Sequence, residues 1–234
     1  MIRGVSDEDW AIAGDRNIQD LFRFELVAGL TLKPNSTFID VGANRGDYLK
    51  IASKYCSPKN IHAFEPIDFM ARYLERSFPE INIHQYAVGN ANHITTFNLA
   101  NFDELSGLRM RALDKLPSGT TFSSVESKVV ALDDYLKRIK NLDLVKIDVE
   151  GGEIDVLIGM NKILEKFKPI IFIEHGIEGP EYFGHGPGDF WRIVKEHKYE
   201  IFTADGQNIV NRETFEDSFY NWPIWNYVLI AKNG

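Results

Sequence analysis

Short runs of hydrophobic and β-branched residues alternate with helical segments along most of this chain. The run Thr37–Val41 is followed by a helical pattern at Asp47–Tyr55, and Ile61–Glu65 is followed by one at Ile67–Ser77. Strands and helices that alternate at this pitch indicate a parallel sheet with right-handed crossovers. Pro169–Glu174 is almost continuously hydrophobic, as expected of a strand covered by helices on both faces. The chain is therefore predicted to form an α/β domain.

The remaining strands are predicted from the same kind of pattern. Ile81–Val88 is expected to contain the third strand with its exit loop, and Leu142–Glu150 is expected to be a central strand. Glu200–Thr203 and Asn226–Ala231 are expected to be the last two strands and to pair with each other. Between them, Asn101–Ser127 is polar and shows no sustained period, so it is predicted to be irregular and either functional or mobile.

Composition limits the classes of protein that this chain can belong to. Its 234 residues, 44% of them hydrophobic, can bury a sizeable core, and we expect residues 1–36 to form a helical segment packed on a single domain at 37–234. The net charge of −8 gives no general attraction to phosphate backbones, so no nucleic-acid partner is expected. Neither a transmembrane run of about 18 apolar residues nor a secretory signal is found. The single cysteine, Cys56, suits a reducing cytoplasm.

The segment Phe38–Gly46 has the pattern of a strand that opens through a glycine turn into a helix. Gly42 and Gly46 allow a ligand to approach the backbone closely, and the helix N-terminus offers free N–H groups. A dinucleotide site receives a pyrophosphate at this turn, but Asp40 would repel phosphate. The pattern, which also contains Asn44, instead favours a ligand with an ammonium group, such as the methionyl part of S-adenosylmethionine.

Two further positions complete the predicted cofactor site. Glu65 follows the second strand, where a carboxylate can accept hydrogen bonds from both hydroxyls of a ribose. Ala87 and Val88 end the third strand, where an adenine ring would lie. Glu65 would serve any adenosine cofactor, and the Ala87–Val88 segment is equally compatible with a plain strand that runs into a turn.

A set of segments in characteristic order gives the sequence a family resemblance. From about Thr37 to Glu174 the chain resembles the FkbM-type S-adenosylmethionine-dependent methyltransferase family. The segments that carry this resemblance are Ile39–Gly46, Phe64–Pro66, Ala87–Gly89, Leu132–Leu136, Leu144–Glu153 and Val156–Gly159. The resemblance implies a class I methyltransferase fold, Rossmann-like, with a mostly parallel seven-stranded sheet, helices on both faces and an antiparallel strand near the C-terminus. It also implies O-methylation of a hydroxyl of a sugar, glycan or natural product.

Candidate catalytic residues lie at the predicted strand ends. Lys146, Asp148 and Glu150 alternate, so they share one face at the end of their strand, where open α/β sheets bind ligands. Methyl transfer from a sulfonium needs alignment and removal of the hydroxyl proton. Asp148 is our first choice for contact with the cofactor or the acceptor, followed by Glu150 and His175. Glu150 is also compatible with a helix N-terminal carboxylate, and His175 with a structural histidine.

The sequence leaves several points open. A metal ion such as Mg²⁺, held by Asp148, Glu174 or His175, is compatible with the residue types, but no spacing is diagnostic. Within the irregular segment, Ser106, Arg109 and Arg111 are candidates for a lid that grips an acidic group of the acceptor, or for a solvated loop. The partner is expected to be a small-molecule or glycan acceptor, and a homo-oligomer is compatible with the sequence.

Two other functions compete with methyl transfer. A nicotinamide-dependent oxidoreductase would need a third glycine in the turn and a hydride-transfer pair such as Tyr-x-x-x-Lys, and neither is found in the required place. A non-catalytic nucleoside-binding module would be expected to lose Asp148 or Glu150, and both are present. The methyltransferase therefore remains the first hypothesis.

Overall fold

The computed structural model describes residues 16–101, 106–109, 119–176, 179–209, 211–220 and 225–232. The helices in these ranges are α1 (Arg16–Thr31), α2 (Asp47–Ala52), α3 (Asp68–Ser77), α4 (Leu132–Tyr135), α5 (Glu153–Gly159), α6 (Asn161–Phe167), α7 (Pro187–Glu196) and α8 (Arg212–Tyr220). The strands are β1 (Phe38–Val41), β2 (Ile61–Phe64), β3 (Asn82–His84), β4 (Ala87–Val88), β5 (His93–Ala100), β6 (Phe122–Val130), β7 (Leu144–Ile147), β8 (Ile170–Glu174), β9 (Tyr199–Thr203), β10 (Asn208–Ile209) and β11 (Asn226–Ala231).

The main sheet has eight strands in the order β10-β9-β11-β8-β7-β1-β2-β3. The five strands from β8 to β3 are parallel, and β11 runs antiparallel to both β8 and β9. The predicted α/β class, the antiparallel strand and the pairing of the last two strands are confirmed. The predicted number of seven strands is short by one, because β10 is only two residues long and leaves no hydrophobic pattern in the sequence.

A second, three-stranded sheet in the order β4-β6-β5 was not expected. The predicted third strand is present but shorter than the range Ile81–Val88, since β3 ends at His84. The chain turns at Gln85, after which Ala87 and Val88 pair with β6 instead of with β2. The end of the predicted irregular segment is also regular, since Phe122–Val130 forms a hairpin with β5. More than half of the β6 side chains are solvent-exposed and only two in β5 are buried, so hydrophobic alternation in the sequence is weak there.

The main sheet separates two hydrophobic cores. Successive residues of a strand point to opposite faces, so Phe38 and Leu144 pack in one core while Ile39 and Val145 pack in the other. Both β1 and β7 are buried along their whole length, as expected of central strands. This alternation decides which strand-end side chains meet, because it places Asp40, Lys146 and Glu174 on one face and His175 on the other.

Helix α1 covers the face of the sheet that carries Asp40 and Lys146. The ring of Phe24 lies edge-on to Tyr48 at 4.8 Å and to Phe172 at 5.5 Å between centroids. Of the predicted N-terminal segment 1–36, residues 16–31 form this helix and residues 32–36 form a turn, while residues 1–15 lie outside the described ranges. None of the helices formed by the described residues has the length and hydrophobicity that crossing a bilayer requires.

Candidate active site

The sheet changes its winding direction at β1, which pairs with β2 on one side and β7 on the other. Open α/β sheets bind ligands beyond the carboxyl ends of the strands at such a point. A cleft of about 970 Å³ lies there. Its walls include the ends of β1, β2, β4, β7 and β8, so the residues that the sequence places at strand ends do meet.

The turn after β1 is shaped by its neighbours in the sheet. Gly42 and Gly46 have φ angles of +80° and +81°, and Asn44 has one of +45°. A Cβ atom on Gly42 would lie 1.9 Å from the carbonyl oxygen of Asp148, and one on Gly46 would lie 2.5 Å from the ring of Phe78. Both glycines are therefore required because the turn packs closely against the rest of the protein. The sequence analysis had explained them by the close approach of a ligand.

Glu65 holds this turn in place. Its Oε2 accepts a hydrogen bond from the backbone N–H of Asn44 and its Oε1 accepts one from Ile67, both at 2.9 Å. Burial nevertheless raises the pKa of Glu65 to about 7, against the lowering effect of the two N–H groups. The carboxylate lines the cleft, so it combines a structural role with the position predicted for a ribose contact.

Asp40 lies beneath the turn instead of facing the cleft. It is completely buried, and it is not one of the residues that form the wall. Lys146 Nζ is 3.4 Å from Oδ1 of Asp40 and 3.4 Å from Oδ2 of Asp148, and it donates a 2.7 Å hydrogen bond to the carbonyl of Gly42. Burial raises the pKa of Asp40 to about 6, although Lys146 opposes the shift. The predicted contact between Asp40 and a ligand ammonium group is therefore not available in this arrangement.

Lys146 is a functional-site residue whose ion pair with Asp40 the sequence analysis did not predict. Its side chain is buried and its Nζ lies 4.8 Å from the centre of the Tyr48 ring. Burial by itself would lower the pKa of Lys146, but Asp148 and Asp40 outweigh burial and raise it, so the ammonium stays charged. Its alternation with Asp148 is visible in the sequence, but only the strand register shows that it lies beside Asp40.

The loop after β7 carries the other candidate carboxylates. Asp148 and Glu150 both line the cleft, and Glu150 has a φ of +60°. Glu153 is the first residue of α5, and its Oε1 accepts a 2.8 Å hydrogen bond from the N–H of Gly151. The role of helix N-terminal carboxylate that was considered for Glu150 therefore belongs to Glu153, which leaves Glu150 facing the cleft.

The structure separates His175 from this group. Its ring is fully buried, stacks on Phe190 at 4.3 Å between centroids and is not part of the cleft wall. Its Nδ1 lies 3.7 Å from Oε2 of Glu153. Because neighbouring residues of a strand point to opposite faces, Glu174 lines the cleft and His175 does not. The ring of His175 thus lies beside Glu153 and outside the cleft wall, so the predicted direct contact with an acceptor gains no support from this arrangement.

Of the remaining predicted site residues, some line the cleft and others do not. Ala87 and Val88 line the cleft as expected. Ser106 also lines it, and its Oγ accepts a 3.0 Å hydrogen bond from the N–H of Ala100. Arg109 lies with its guanidinium 5.8 Å from the centre of the Phe183 ring, outside the cleft wall, and Arg111 lies outside the described residues.

The comparison with family models identifies the domain. The model of the methyltransferase FkbM domain matches residues 40–201, which include the glycine turn, Glu65 and the ends of β7 and β8. This chain belongs to the FkbM methyltransferase family. The match confirms the resemblance that the sequence motifs carry, and the class I methyltransferase fold agrees with the observed sheet.

Two curated relatives and one solved structure illustrate the range of proteins similar to this FkbM domain. The AMB antimetabolite synthetase AmbE of Pseudomonas aeruginosa is 27% identical over 224 residues, covering 78% of this chain and 10% of that protein. The hexuronic acid methyltransferase AglP of Haloferax volcanii is 26% identical over 199 residues, covering 82% of this chain and 74% of that protein. The chain thus spans only a tenth of AmbE. The crystal structure of an FkbM methyltransferase from Methylobacillus flagellatus shares the fold, with a TM-score of 0.50 and 13% identity over 92% of this chain and 53% of that one.

The residues of the cleft fit the cofactor of this family. A volume of about 970 Å³ is at the upper end of the range for small-molecule sites, enough for an adenosine cofactor and an acceptor. Glu65 presents a carboxylate at the end of β2, Ala87 and Val88 present an apolar surface, and Asp148 follows β7 on the other side of β1. The described residues contain no group of three or more His, Cys, Asp or Glu side chains that could hold a metal ion. The Mg²⁺ ion that the sequence left open therefore gains no support from this part of the chain.

Proposed function

We propose that this chain is an S-adenosylmethionine-dependent O-methyltransferase that acts on a hydroxyl of a sugar, glycan or natural product. The observation that carries the proposal is the cleft at the β1 switch point. A turn braced by Glu65 forms one side of it, and strand-end carboxylates form the other. The name of the relative AglP, a hexuronic acid methyltransferase, supports a sugar-derived acceptor. The name of AmbE, an antimetabolite synthetase, supports a natural product.

The division of the cleft suggests what each part contributes. Bound S-adenosylmethionine would supply an electrophilic methyl group. Glu65 would accept hydrogen bonds from the ribose on the lone pairs that the N–H groups of Asn44 and Ile67 leave free. Asp148, Glu150 and Glu174 line the other end, and a carboxylate there would orient the acceptor hydroxyl and take its proton.

The competing functions make different demands on the same cleft. A nicotinamide cofactor carries a pyrophosphate, which would meet the partly negative wall formed with Asp148 and Glu150. A non-catalytic module needs no group that can take a proton, yet three carboxylates stand at the ends of adjacent strands. Both observations favour the methyltransferase.

Calorimetry and a methyl-transfer screen test the proposal. We expect S-adenosylmethionine and its demethylated product to bind with dissociation constants of about micromolar order, a binding free energy of about 8 kcal/mol, and NAD to bind much more weakly. The screen would use S-adenosylmethionine with an isotope-labelled methyl group and a library of sugars, glycans and natural products, with mass spectrometry as the readout. Binding of NAD without binding of S-adenosylmethionine would overturn the proposal.

A further inference from the structure

The charges along the cleft are unevenly distributed. Among the described residues, nine acidic and three basic side chains line it. The basic side chains are Arg23, Arg45 and Lys146. Lys146 is buried between Asp40 and Asp148, and Arg23 is paired with Asp20 at 3.0 Å. Arg45 is solvent-exposed, in the glycine turn at the opposite end from β8. Among the described residues, acidic side chains therefore outnumber basic ones in the wall at the ends of β7 and β8.

Glu174 is the least compensated group in this wall. It ends β8, next to β7 in the sheet, and its side chain is mostly buried but lines the cleft. None of the described residues donates a hydrogen bond to its carboxylate, in contrast with Glu65, which accepts two. Burial is the main reason that its pKa rises to about 8, followed by the negative charges of Asp148 and Glu153 and, more weakly, Asp20, while Lys146 opposes the rise.

Such a group has a chemical preference. A buried carboxylate is stabilised by a positive partner or by hydrogen-bond donors, and it is destabilised by a second anion. A carboxylate or phosphate on the acceptor would meet Asp148 and Glu174, and Lys146, the described cation that acts on Glu174, is already shared between two other carboxylates. An ammonium group on the acceptor would instead pair with Glu174 and stabilise the ionised form of this carboxylate.

We propose that the acceptor carries an ammonium group close to the methylated hydroxyl, and that Glu174 is the side chain that binds it. This inference rests on the proposed function, because it concerns the acceptor end of the same cleft. It also distinguishes this chain from its relative AglP, whose name specifies a hexuronic acid, an anionic sugar. The chemical class that fits is an amine-bearing sugar or polyol.

Three glucosides that differ only at carbon 6 test the preference. Methyl 6-amino-6-deoxyglucoside is cationic at pH 8, methyl glucoside is neutral and methyl glucuronide is anionic. With labelled S-adenosylmethionine, we expect kcat/KM for the amine to exceed that for the glucuronide by at least about tenfold. The Glu174→Gln variant should reduce this ratio severalfold. Faster methylation of the neutral or the anionic glucoside than of the amine would overturn the inference.

A second measurement does not depend on the glucose scaffold. Small nitroxides, one with a trimethylammonium group and one with a carboxylate, report the sign of the local potential through the relaxation of nearby amide protons. With the demethylated cofactor bound at pH 8.5, we expect the cationic nitroxide to relax the amides of Val149, Gly151 and Gly176 severalfold more than the anionic one. Glu174→Gln should reduce the ratio, and Glu75→Gln, a change of an exposed glutamate on α3, should leave it unchanged.

The outcomes separate the two proposals. An equal or inverted nitroxide ratio in the parent protein overturns the inference even if methyl transfer to some acceptor is observed. A ratio in the expected direction supports it even if none of the three glucosides is methylated. If Glu174→Gln does not fold, Asp148→Asn removes the neighbouring carboxylate and gives the same readout. Failure to bind S-adenosylmethionine, by contrast, contradicts the proposed function itself.

Discussion

The two ends of the cleft are built in different ways. At the ends of β1 and β2, the carboxylate of Glu65 is occupied by two backbone N–H groups, and the turn that it braces is fixed by glycines packed against the protein. At the ends of β7 and β8, Asp148 shares one buried lysine with Asp40, and Glu174 accepts no hydrogen bond from the described residues. The first end is organised before any ligand binds, whereas the second has polar groups whose partners would come from a ligand.

This difference suggests that binding of the cofactor and methyl transfer depend on separate residues. A polar group whose hydrogen bonds are already made within the protein changes little when a ligand binds, so it contributes a fixed geometry to the site. A group without a partner gains most from the ligand, and its ionisation responds to the ligand's charge. Substitutions at the two ends should therefore affect different measurements.

The largest effect is expected from Asp148→Asn. Loss of a proton-accepting carboxylate lowers turnover by about 10²–10⁴-fold, while affinity for S-adenosylmethionine should change far less. Single-turnover methyl transfer, with an acceptor found in the screen, measures the first quantity and titration calorimetry the second. Parallel losses in both would show that Asp148 mainly binds the cofactor, and the proposed division between the two ends would be wrong.

Lys146→Met tests the connection between the two ends. The change removes the cation between Asp40 and Asp148 and leaves Asp40 buried without its ion pair. Removal of one partner from a buried pair costs about 3–5 kcal/mol of unfolding free energy. Urea denaturation measures the loss, and Lys232→Met is the matched control because Lys232 is exposed and 3.7 Å from Glu200. A cost below about 1 kcal/mol would mean that the pair does not hold the turn.

The pH dependence of stability reports on Glu174. Its pKa is 4.5 in a model compound and about 8 in the folded protein. The buried carboxyl group therefore favours the folded state most below pH 4.5, where it is protonated in both states. This contribution to the free energy of unfolding is lost as the pH rises to about 8. Relative to the parent protein, Glu174→Gln should gain a stability advantage on the order of a few kcal/mol over this range. Thermal unfolding of both proteins between pH 5 and pH 9 measures the difference, and parallel curves would contradict the assignment.

Glu65→Ala tests the preorganised end. The substitution removes the carboxylate that holds the N–H groups of Asn44 and Ile67, as well as the proposed ribose contact. We expect cofactor binding to weaken by about 1.5–3 kcal/mol, measured by calorimetry with S-adenosylmethionine. Asp68→Asn, which changes an exposed carboxylate at the start of α3, is the control. Unchanged affinity in Glu65→Ala would rule out both the bracing role and the ribose contact as determinants of binding.

The smallest effect is expected from Arg109→Ala. Arg109 stacks on Phe183, which lines the cleft, but is not itself part of the wall. We expect KM for the acceptor to rise a few-fold with kcat unchanged, as happens when ground-state binding is lost. Steady-state kinetics with a varied acceptor measures both constants. A fall in kcat with constant KM would place Arg109 in the catalytic step instead.

Much of the fold follows from local patterns in the sequence. The strands, the glycine turn and the strand-end carboxylates were predicted because hydrophobic periodicity and turn residues act over a few positions. The second sheet was not predicted, because the partner of β4 is β6, about forty residues away, and more than half of the β6 side chains are exposed. Residues that depend on a distant partner, such as Lys146 beside Asp40, need the register of the sheet before their role can be stated.

The candidate site shows the same limit in more detail. Asp148 and Glu65 were placed correctly at the cleft, since the ends of parallel strands must share one edge of the sheet. His175 and Glu174 are neighbours in sequence, and only Glu174 lines the cleft. The alternation of side chains sends Glu174 into the cleft and His175 into the core beside Phe190.

The sequence by itself determined the α/β class, the family and the set of polar groups gathered at the strand ends. Only the tertiary structure decided which of those groups are satisfied within the protein. Asp40 is enclosed with Lys146, Glu65 is occupied by backbone donors, and Glu174 stays without a donor among the described residues. The reason is that solvation and charge pairing depend on atoms brought together from distant parts of the chain, whereas strand and helix patterns depend on neighbours in the sequence.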